Sequence, residues 1–393
     1  MDDDAVRLLS GEAWSDWCRR LEATGRHILG DEFPQDARGR AEGVRALTRL
    51  LVYATQLEME AGDPEHPVFY RYEDPRTQWG GPNPDNVYLR ARIDPTLAYR
   101  IRTDVSGVRE VLFSLHEGDM QLSEYGVFSE CALSELDVGA DGSLEIHVAP
   151  EARPGNWMRS HPDARLLMIR VYVSDWERDA APPFEIERVG AEGVPPPPPD
   201  PGAVARALDR SAAWVDTTVR YWNEYLRKAR ERATPNRAAP PRPTPGGADH
   251  ILYGSCFFDL APDEALLLSC ETPDAHYWSF TLHTPAWFES GDFASRQTSL
   301  SDQQAVADPD GRLRLVLAHD DPGSPNWIDT EGRPQGLLAY RFVGARSRPV
   351  PDARVLPLRD VSDALPDFHP RIDPAARRIS LARRRAALWR RYR

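Results

Sequence analysis

Cysteine is scarce in this chain, with four among 393 residues, at positions 18, 131, 256 and 270. They are too scattered for a zinc knuckle or a disulfide framework. No window approaches eighteen consecutive apolar residues, so no membrane-spanning helix is expected. The first residues, MDDDAVRLLSGE, lack the basic start and apolar run of a signal peptide. Net positive charge is missing too. The formal charge of −13 argues against a general affinity for nucleic acid or for an anionic membrane. These absences predict a soluble, reduced, cytoplasmic protein.

The common catalytic signatures are also missing. There is no GxSxG elbow, no SxxK and no cysteine with a local activating motif. Without a GxGxxG or a P-loop, nucleotide cofactors are not expected. Without HxH or HExxH spacing, no metal site is assigned, and a divalent metal would need His319 joined by distant residues such as His276 or His283. No cofactor is predicted.

What the chain has in abundance is proline, 36 residues, which points to a loop-rich and often β-rich protein. Charge is unevenly spread. Residues 374–393 carry eight arginines and no acid, leaving about −21 for the rest.

Residues 10–62 read as helical, with Trp14, Trp17, Cys18 and Leu21 in one stripe and Val44, Leu47, Leu51, Ala54 and Leu57 in another. From Val68 the period changes to short, turn-bounded apolar runs: 87–93, 98–103, 110–116, 143–149 and 166–173. No useful helix separates them, which argues for an antiparallel sandwich or jelly roll. Pro195–Pro199 predicts a stiff spacer. A long helix follows from about Ala203 to Ala233, with Leu208, Ala212, Val215, Val219, Trp222 and Leu226 on one face. Residues 234–247 read as a second proline-rich loop, and new strands are expected at 251–260, 264–272, 277–284, 311–319 and 336–344. The last helix aligns Ile379, Ala382, Ala386 and Trp389, a stripe that needs a partner and is expected to dock on this chain's own acidic surface.

The two β regions match each other. Asp141-Gly142 and the strand after it align with Asp310-Gly311 and its strand, and both copies then reach Asn-Trp, at Asn156-Trp157 and Asn326-Trp327. A repeat this long implies duplication of a whole β domain. Asp-Gly supplies the positive φ of a turn. The shared Asn-Trp reads as scaffold, an amide satisfying loop backbone beside an indole that caps the core.

Polar residues concentrate in AHDDPGSPNWIDTEGRPQGLLAYRF, Ala318 to Phe342. Asp329 and Glu331, two apart on a loop, can split their pKa values and act as acid and base. His319 is a third catalytic candidate, and Arg333, Asn326, Trp327 and Arg296 are candidate substrate contacts. The competing reading is an Asp-Arg or Glu-Arg network stapling a turn. A second concentration holds Asn83, Asp85, Asn86 and Tyr88, suited to hydrogen-bonding a sugar or amide, or simply to building a turn. Arg90 and Arg92 could line an anion cleft or meet solvent.

From LAPDEALLL through the Ala318–Phe342 stretch, the second half resembles the bacterial domain-of-unknown-function family numbered twelve-fourteen. GGPNPDNVYLRARIDPTLAYRIR, Gly80 to Arg102, is similar to the N-terminal region of that family and of its twelve-fifty-four relatives. The tail LARRRAALWRRYR is similar to its actinobacterial members. The resemblance covers most of residues 65–345 and implies tandem jelly-roll domains. It also implies a distant likeness to peptide:N-glycanase F, an enzyme type that uses carboxylates to cleave a glycan–asparagine amide; fold alone does not fix that chemistry.

The expected architecture is mainly β with flanking helices, as two tandem antiparallel jelly-roll or β-sandwich domains related by duplication. The expected segments are a helical one at 1–64, a first jelly roll at 65–190, linker and long helix at 191–247, a second jelly roll at 248–350 and an extension at 351–393. Two functions are weighed: a carboxylate-assisted hydrolase acting on a polar, glycan-like or amide substrate, and a non-catalytic protein that binds a small molecule or serves as an accessory.

Overall fold

The computed structural model describes residues 2–244 and 250–392. The chain forms two compact units. One comprises Met1–Trp79, Val87–Tyr172 and Ala180–Glu224; the other comprises Gly80–Asn86, Val173–Asp179 and Tyr225–Arg393.

The first unit opens with helices α1 (Asp3–Leu9), α2 (Glu12–His27) and α3 (Ala37–Met59). Asp2 and Asp36 cap α1 and α3 by accepting from Ala5 N and Gly39 N. Its strands are β1 (Tyr70–Glu73), β2 (Asn86–Arg92), β3 (Tyr99–Asp104), β4 (Glu110–His116), β5 (Val127–Ala132), β6 (Ser143–Ala149), β7 (Asn156–Arg159), β8 (Leu166–Tyr172) and β9 (Glu185–Arg188). They form a sheet ordered β1-β2-β8-β4-β5 and another ordered β7-β6-β3-β9. Helix α4 (Pro201–Arg232) follows.

The second unit holds β10 (Ala238–Arg242), β11 (Ile251–Asp259), β12 (Glu264–Glu271), β13 (Tyr277–His283), β14 (Ser299–Ser301), β15 (Arg312–Ala318), β16 (Trp327–Asp329), β17 (Gln335–Val343) and β18 (Asp352–Pro357). The short α5 (Val361–Ala364) and then α6 (Pro374–Arg391) follow. The sheets run β10-β11-β17-β13-β14 and β16-β15-β12-β18. Adding nine to each strand number of the first unit reproduces this order, so the fold is a duplicated β-sandwich. Even the exceptions repeat: β6 pairs with β7, and β15 with β16, in parallel.

Both sheets of the second unit feed one core. Phe280 and Leu282 of β13 and Tyr340 and Phe342 of β17 meet Leu266 and Leu268 of β12 and Leu315 and Leu317 of β15. Successive strand residues point to opposite faces, so the alternation in sequence becomes a buried inner face. At Gly254 an added Cβ would lie 2.1 Å from the Tyr340 ring. Only glycine lets that aromatic fill the sandwich.

Several expectations need correction. Trp14 is 57% and Val44 52% exposed; α2 packs instead through Ala13, Trp17 and Thr24, and α3 through Ala46, Leu50, Tyr53 and Leu57. Arg90 and Arg92 neither line an anion cleft nor meet open solvent. Arg90 is buried on Asp119, 2.5 Å away, with its guanidinium 4.0 Å from the Tyr72 ring centroid, and Arg92 pairs with Glu58. The expected loop 234–247 contains strand β10, whose Pro240 and Pro241 are tolerated because β10 is an edge; residues 245–247 lie outside the described residues. No helix among the described residues is long and apolar enough to cross a membrane.

The docking face of α6 also differs from expectation. Ile379 is 56% exposed, and Ala382 and Ala386 are exposed as well. The inward face carries Arg377, Arg384, Ala387, Leu388 and Arg391. The three arginines sit seven apart, two helical turns, and so share one side.

Candidate functional site

The Ala318–Phe342 stretch is built by β15, the loop after it and β16. Asn326 Nδ2 donates to the carbonyls of Val306 (2.7 Å) and Arg314 (2.9 Å), and its Oδ1 accepts from Val306 N. Trp327 Nε1 donates to Ala318 O at 3.0 Å. Asn156 and Trp157 repeat this pattern on Asp137, Glu145 and Ala149. The Asn-Trp pair thus stitches a loop to a strand in each copy, and the polar atoms of both Asn326 and Trp327 are engaged.

Asp329, Glu331, Arg296 and Arg333 form one network. Asp329 Oδ2 accepts from Arg296 Nη1 at 2.8 Å, and its Oδ1 accepts from Glu331 N at 2.7 Å. Burial pushes the Asp329 carboxyl above its ordinary range, against the opposing pull of Arg296. Glu331 sits at φ 57°, accepts from Asp292 N at 2.6 Å and takes two hydrogen bonds from Arg333 at 3.1 Å. Its carboxylate fills the space beside Gly291, where an added Cβ would lie 2.8 Å from Oε1. His319 Nδ1 lies 2.6 Å from Thr330 Oγ1. Among the described residues no group of three or more His, Cys, Asp or Glu is placed to hold a metal ion.

In the segment Gly80–Asn86, Asp85 is fully buried. Its oxygens accept from Trp176 Nε1 at 2.6 Å and from the Tyr277 hydroxyl at 2.7 Å. Burial raises its pKa, with Tyr277 and Trp176 pulling the other way. Asn83 donates to the Tyr277 hydroxyl (2.8 Å) and to Asn86 Oδ1 (3.1 Å), so Asn83, Asp85 and Asn86 tie this strap down. Tyr88 belongs to the first unit, where it packs on Tyr72 at 5.2 Å.

The residues missed by sequence reasoning are on and around α6. Arg377 Nε donates to Asp321 at 2.9 Å, Nη1 to Gln297 Oε1 at 2.9 Å and Nη2 to Ser324 O, with the guanidinium 5.3 Å from the Trp327 ring centroid. Arg384 donates to Phe293 O, Gln304 Oε1 and Ser299 Oγ, and lies 3.9 Å from the Trp176 centroid. Arg391 lies 4.8 Å from the same ring and donates to Pro84 O at 2.8 Å. Burial lowers both pKa values, that of Arg384 to about 10. The one available signal was the seven-residue spacing of these arginines.

Between α6 and the loops facing it lies a cleft of about 480 Å³. Trp176 and Arg384 line its wall together with the apolar Leu300, Ala376, Ile379 and Ala387; Gln297, Gln303 and Gln304 and the polar Asp175, Glu177, Ser380 and Arg383 make up the rest. Ser380, Arg383 and Glu177 are exposed, so charge of both signs borders the opening.

Known proteins resemble the chain as a whole. An uncharacterized protein from Burkholderia cenocepacia, known as a crystal structure, is 31% identical over 92% of this chain and 100% of its own, with a TM-score of 0.83. The VPA0106 protein from Vibrio parahaemolyticus is 13% identical over 79% of this chain and 97% of its own, at a TM-score of 0.45, too faint a likeness to build on. Among curated proteins none matches significantly. Residues 119–175 and 252–346, one stretch from each copy of the sandwich, match the family model described as "Protein of unknown function (DUF1214)". With that match in both copies and a near full-length relative at 31% identity, the chain belongs to the DUF1214 family.

Proposed function

We propose that this protein binds a small polar molecule, without turning it over, in the cleft under α6. The observation that carries this reading is the contrast between that cleft and the carboxylate pair. Asp329 and Glu331 are each held by an arginine and a backbone N–H, so neither is free to relay a proton. The cleft, about 480 Å³, sets Gln303, Ser380 and charges of both signs beside Trp176 and four apolar side chains, a mixed lining suited to a small polar ligand. A cytoplasmic location fits the four free cysteines. A thermal-shift screen of monosaccharides, hydroxy acids and amino-acid amides tests the idea. Hits should be abolished by Ser380→Trp, which fills the cleft from an exposed position; retention of every hit in that variant sinks the proposal.

A second reading keeps the hydrolase. It is favoured by one feature: burial holds the Asp329 carboxyl above its ordinary range, as a general acid requires. Arg296, whose side chain is 51% exposed, would have to swing aside. Assay against glycan and amide substrates decides it, since turnover by the wild type that Asp329→Asn abolishes is required.

A further inference from the structure

The cleft under α6 lies wholly within the second unit, and part of its polar lining is already committed. Gln297 donates to the carbonyls of Pro325 and Trp327 and accepts from Arg377. Gln304 accepts from Arg384 and from Ser301 N, and donates to Ser174 O. Both amides therefore serve the fold, and the groups that remain decide what the cleft can hold.

Ser380 Oγ, the Arg383 guanidinium and the Glu177 carboxylate have no hydrogen bond or ion pair among the described residues. All three are exposed, and each alone is an ordinary solvated surface group. Their arrangement around one concavity sets them apart. Arg384 adds to them. Of the five N–H protons of a guanidinium it uses three, on Phe293 O, Gln304 Oε1 and Ser299 Oγ. Those acceptors are all neutral, so this cation sits against the protein without a direct countercharge, a condition that burial penalises and an arriving anion relieves.

The helix gathers the donors. Ser380, Arg383 and Arg384 are three and four positions apart, which makes them neighbours on one face of α6, with Cβ atoms about 5–6 Å apart. A hydroxyl and two guanidiniums form a donor set suited to a carboxylate. The loop facing α6 brings acids instead, Asp175 and Glu177. Asp175 accepts from Glu177 N and lies 3.7 Å from Arg178, which leaves Glu177 as the acid with nothing to neutralise it. The lining that remains is largely apolar, with Leu300, Ile379, Ala376 and Ala387 beside Trp176.

Resting on the reading of this cleft as a binding site, we infer that its ligand is a zwitterionic α-amino acid with an aliphatic side chain. The carboxylate accepts from Ser380, Arg383 and the uncommitted protons of Arg384. The ammonium donates to Glu177, and the side chain covers Leu300 and Ile379. A hydroxy acid would bring no cation to Glu177, and a sugar would match neither charged pole.

Calorimetry on the full chain with L-leucine tests this, beside two compounds that each lack one charge: 4-methylpentanoate, without the ammonium, and 3-methylbutylamine, without the carboxylate. Leucine should bind at least about tenfold more tightly than either. Arg383→Gln and Glu177→Gln change exposed positions and so keep the fold. Each should weaken leucine about tenfold, and Glu177→Gln should bring leucine and 4-methylpentanoate to similar affinity. Arg385→Gln, exposed but outside the lining, should change nothing. The inference is overturned if leucine binds no more tightly than 4-methylpentanoate, if Glu177→Gln binds leucine like the wild type, or if leucine binding survives Ser380→Trp. Sugars or hydroxy acids that bind and are lost in Ser380→Trp, with no binding of leucine, would overturn the amino-acid assignment and leave the cleft reading standing. No binding by any of these compounds would overturn both.

Discussion

Asn156 and Asn326 make the same three hydrogen bonds, each at the equivalent point of its own copy of the sandwich. They differ in burial: Asn326 is fully buried, while Asn156 is only half so. Removing the amide leaves two carbonyls and an N–H without partners, and water can replace them only where it reaches. Asn326→Ala should therefore cost about 3 kcal/mol and Asn156→Ala about 1 kcal/mol. Urea denaturation of the two variants, followed by tryptophan fluorescence, measures the difference; equal losses would contradict the burial argument.

The inward arginines make α6 a charged plug rather than an apolar one. Arg377 is buried, pairs with Asp321 and holds Gln297. Arg377→Ala should cost about 3 kcal/mol, because Asp321 and the Ser324 carbonyl lose their donor. Arg385→Ala, on the exposed face, should change stability by less than about 0.5 kcal/mol. Hydrogen exchange along 374–391 should rise sharply in the first variant and stay as in the wild type in the second.

The strands legible in the sequence were the interior ones. All ten interior strands, among them β4, β6, β13 and β15, show as apolar or alternating runs between turn residues. The eight that did not show, β1, β5, β7, β9, β10, β14, β16 and β18, are the edges of the four sheets. An edge strand needs only one paired side and tolerates proline, as β10 does, so it carries little periodic signal. The scaffold role of Asn-Trp was legible because duplication supplied a control within the chain. The docking of α6 was not, because periodicity weighs Ile379 as apolar and Arg384 as surface, whereas this helix buries guanidinium groups against Trp176 and backbone carbonyls.

Asp329 and Glu331 provide a test that separates scaffold from chemistry. If Glu331 staples the turn, Glu331→Gln loses the charge that faces Arg333 but keeps an acceptor for Asp292 N. The expected loss is about 1–3 kcal/mol, with ligand binding in the α6 cleft unchanged. Arg296→Ala should strip Asp329 of the guanidinium it pairs with and push that carboxyl further up, since Arg296 is what opposes burial. Carboxyl NMR titration reads the shift; an unmoved Asp329 would mean that the pair contributes nothing there.

Acid should weaken each unit through one buried histidine. Burial, then Arg170 and Arg90, hold His116 well below its ordinary pKa; burial, then Arg341, do the same for His283. Unfolded, each titrates near 6.5. Below about pH 6.5 the unfolded chain therefore binds a proton that the folded one refuses, so stability is full above that value and falls as pH drops toward the folded pKa values. The slope reaches about 1.4 kcal/mol per pH unit for each histidine in its own unit. Urea midpoints measured from pH 7.5 down to 5 should fall along this curve. His116→Gln should flatten the descent of the first unit alone, and His283→Gln that of the second; a variant whose slope matched the wild type would show that its histidine takes up protons alike in the folded and unfolded chain.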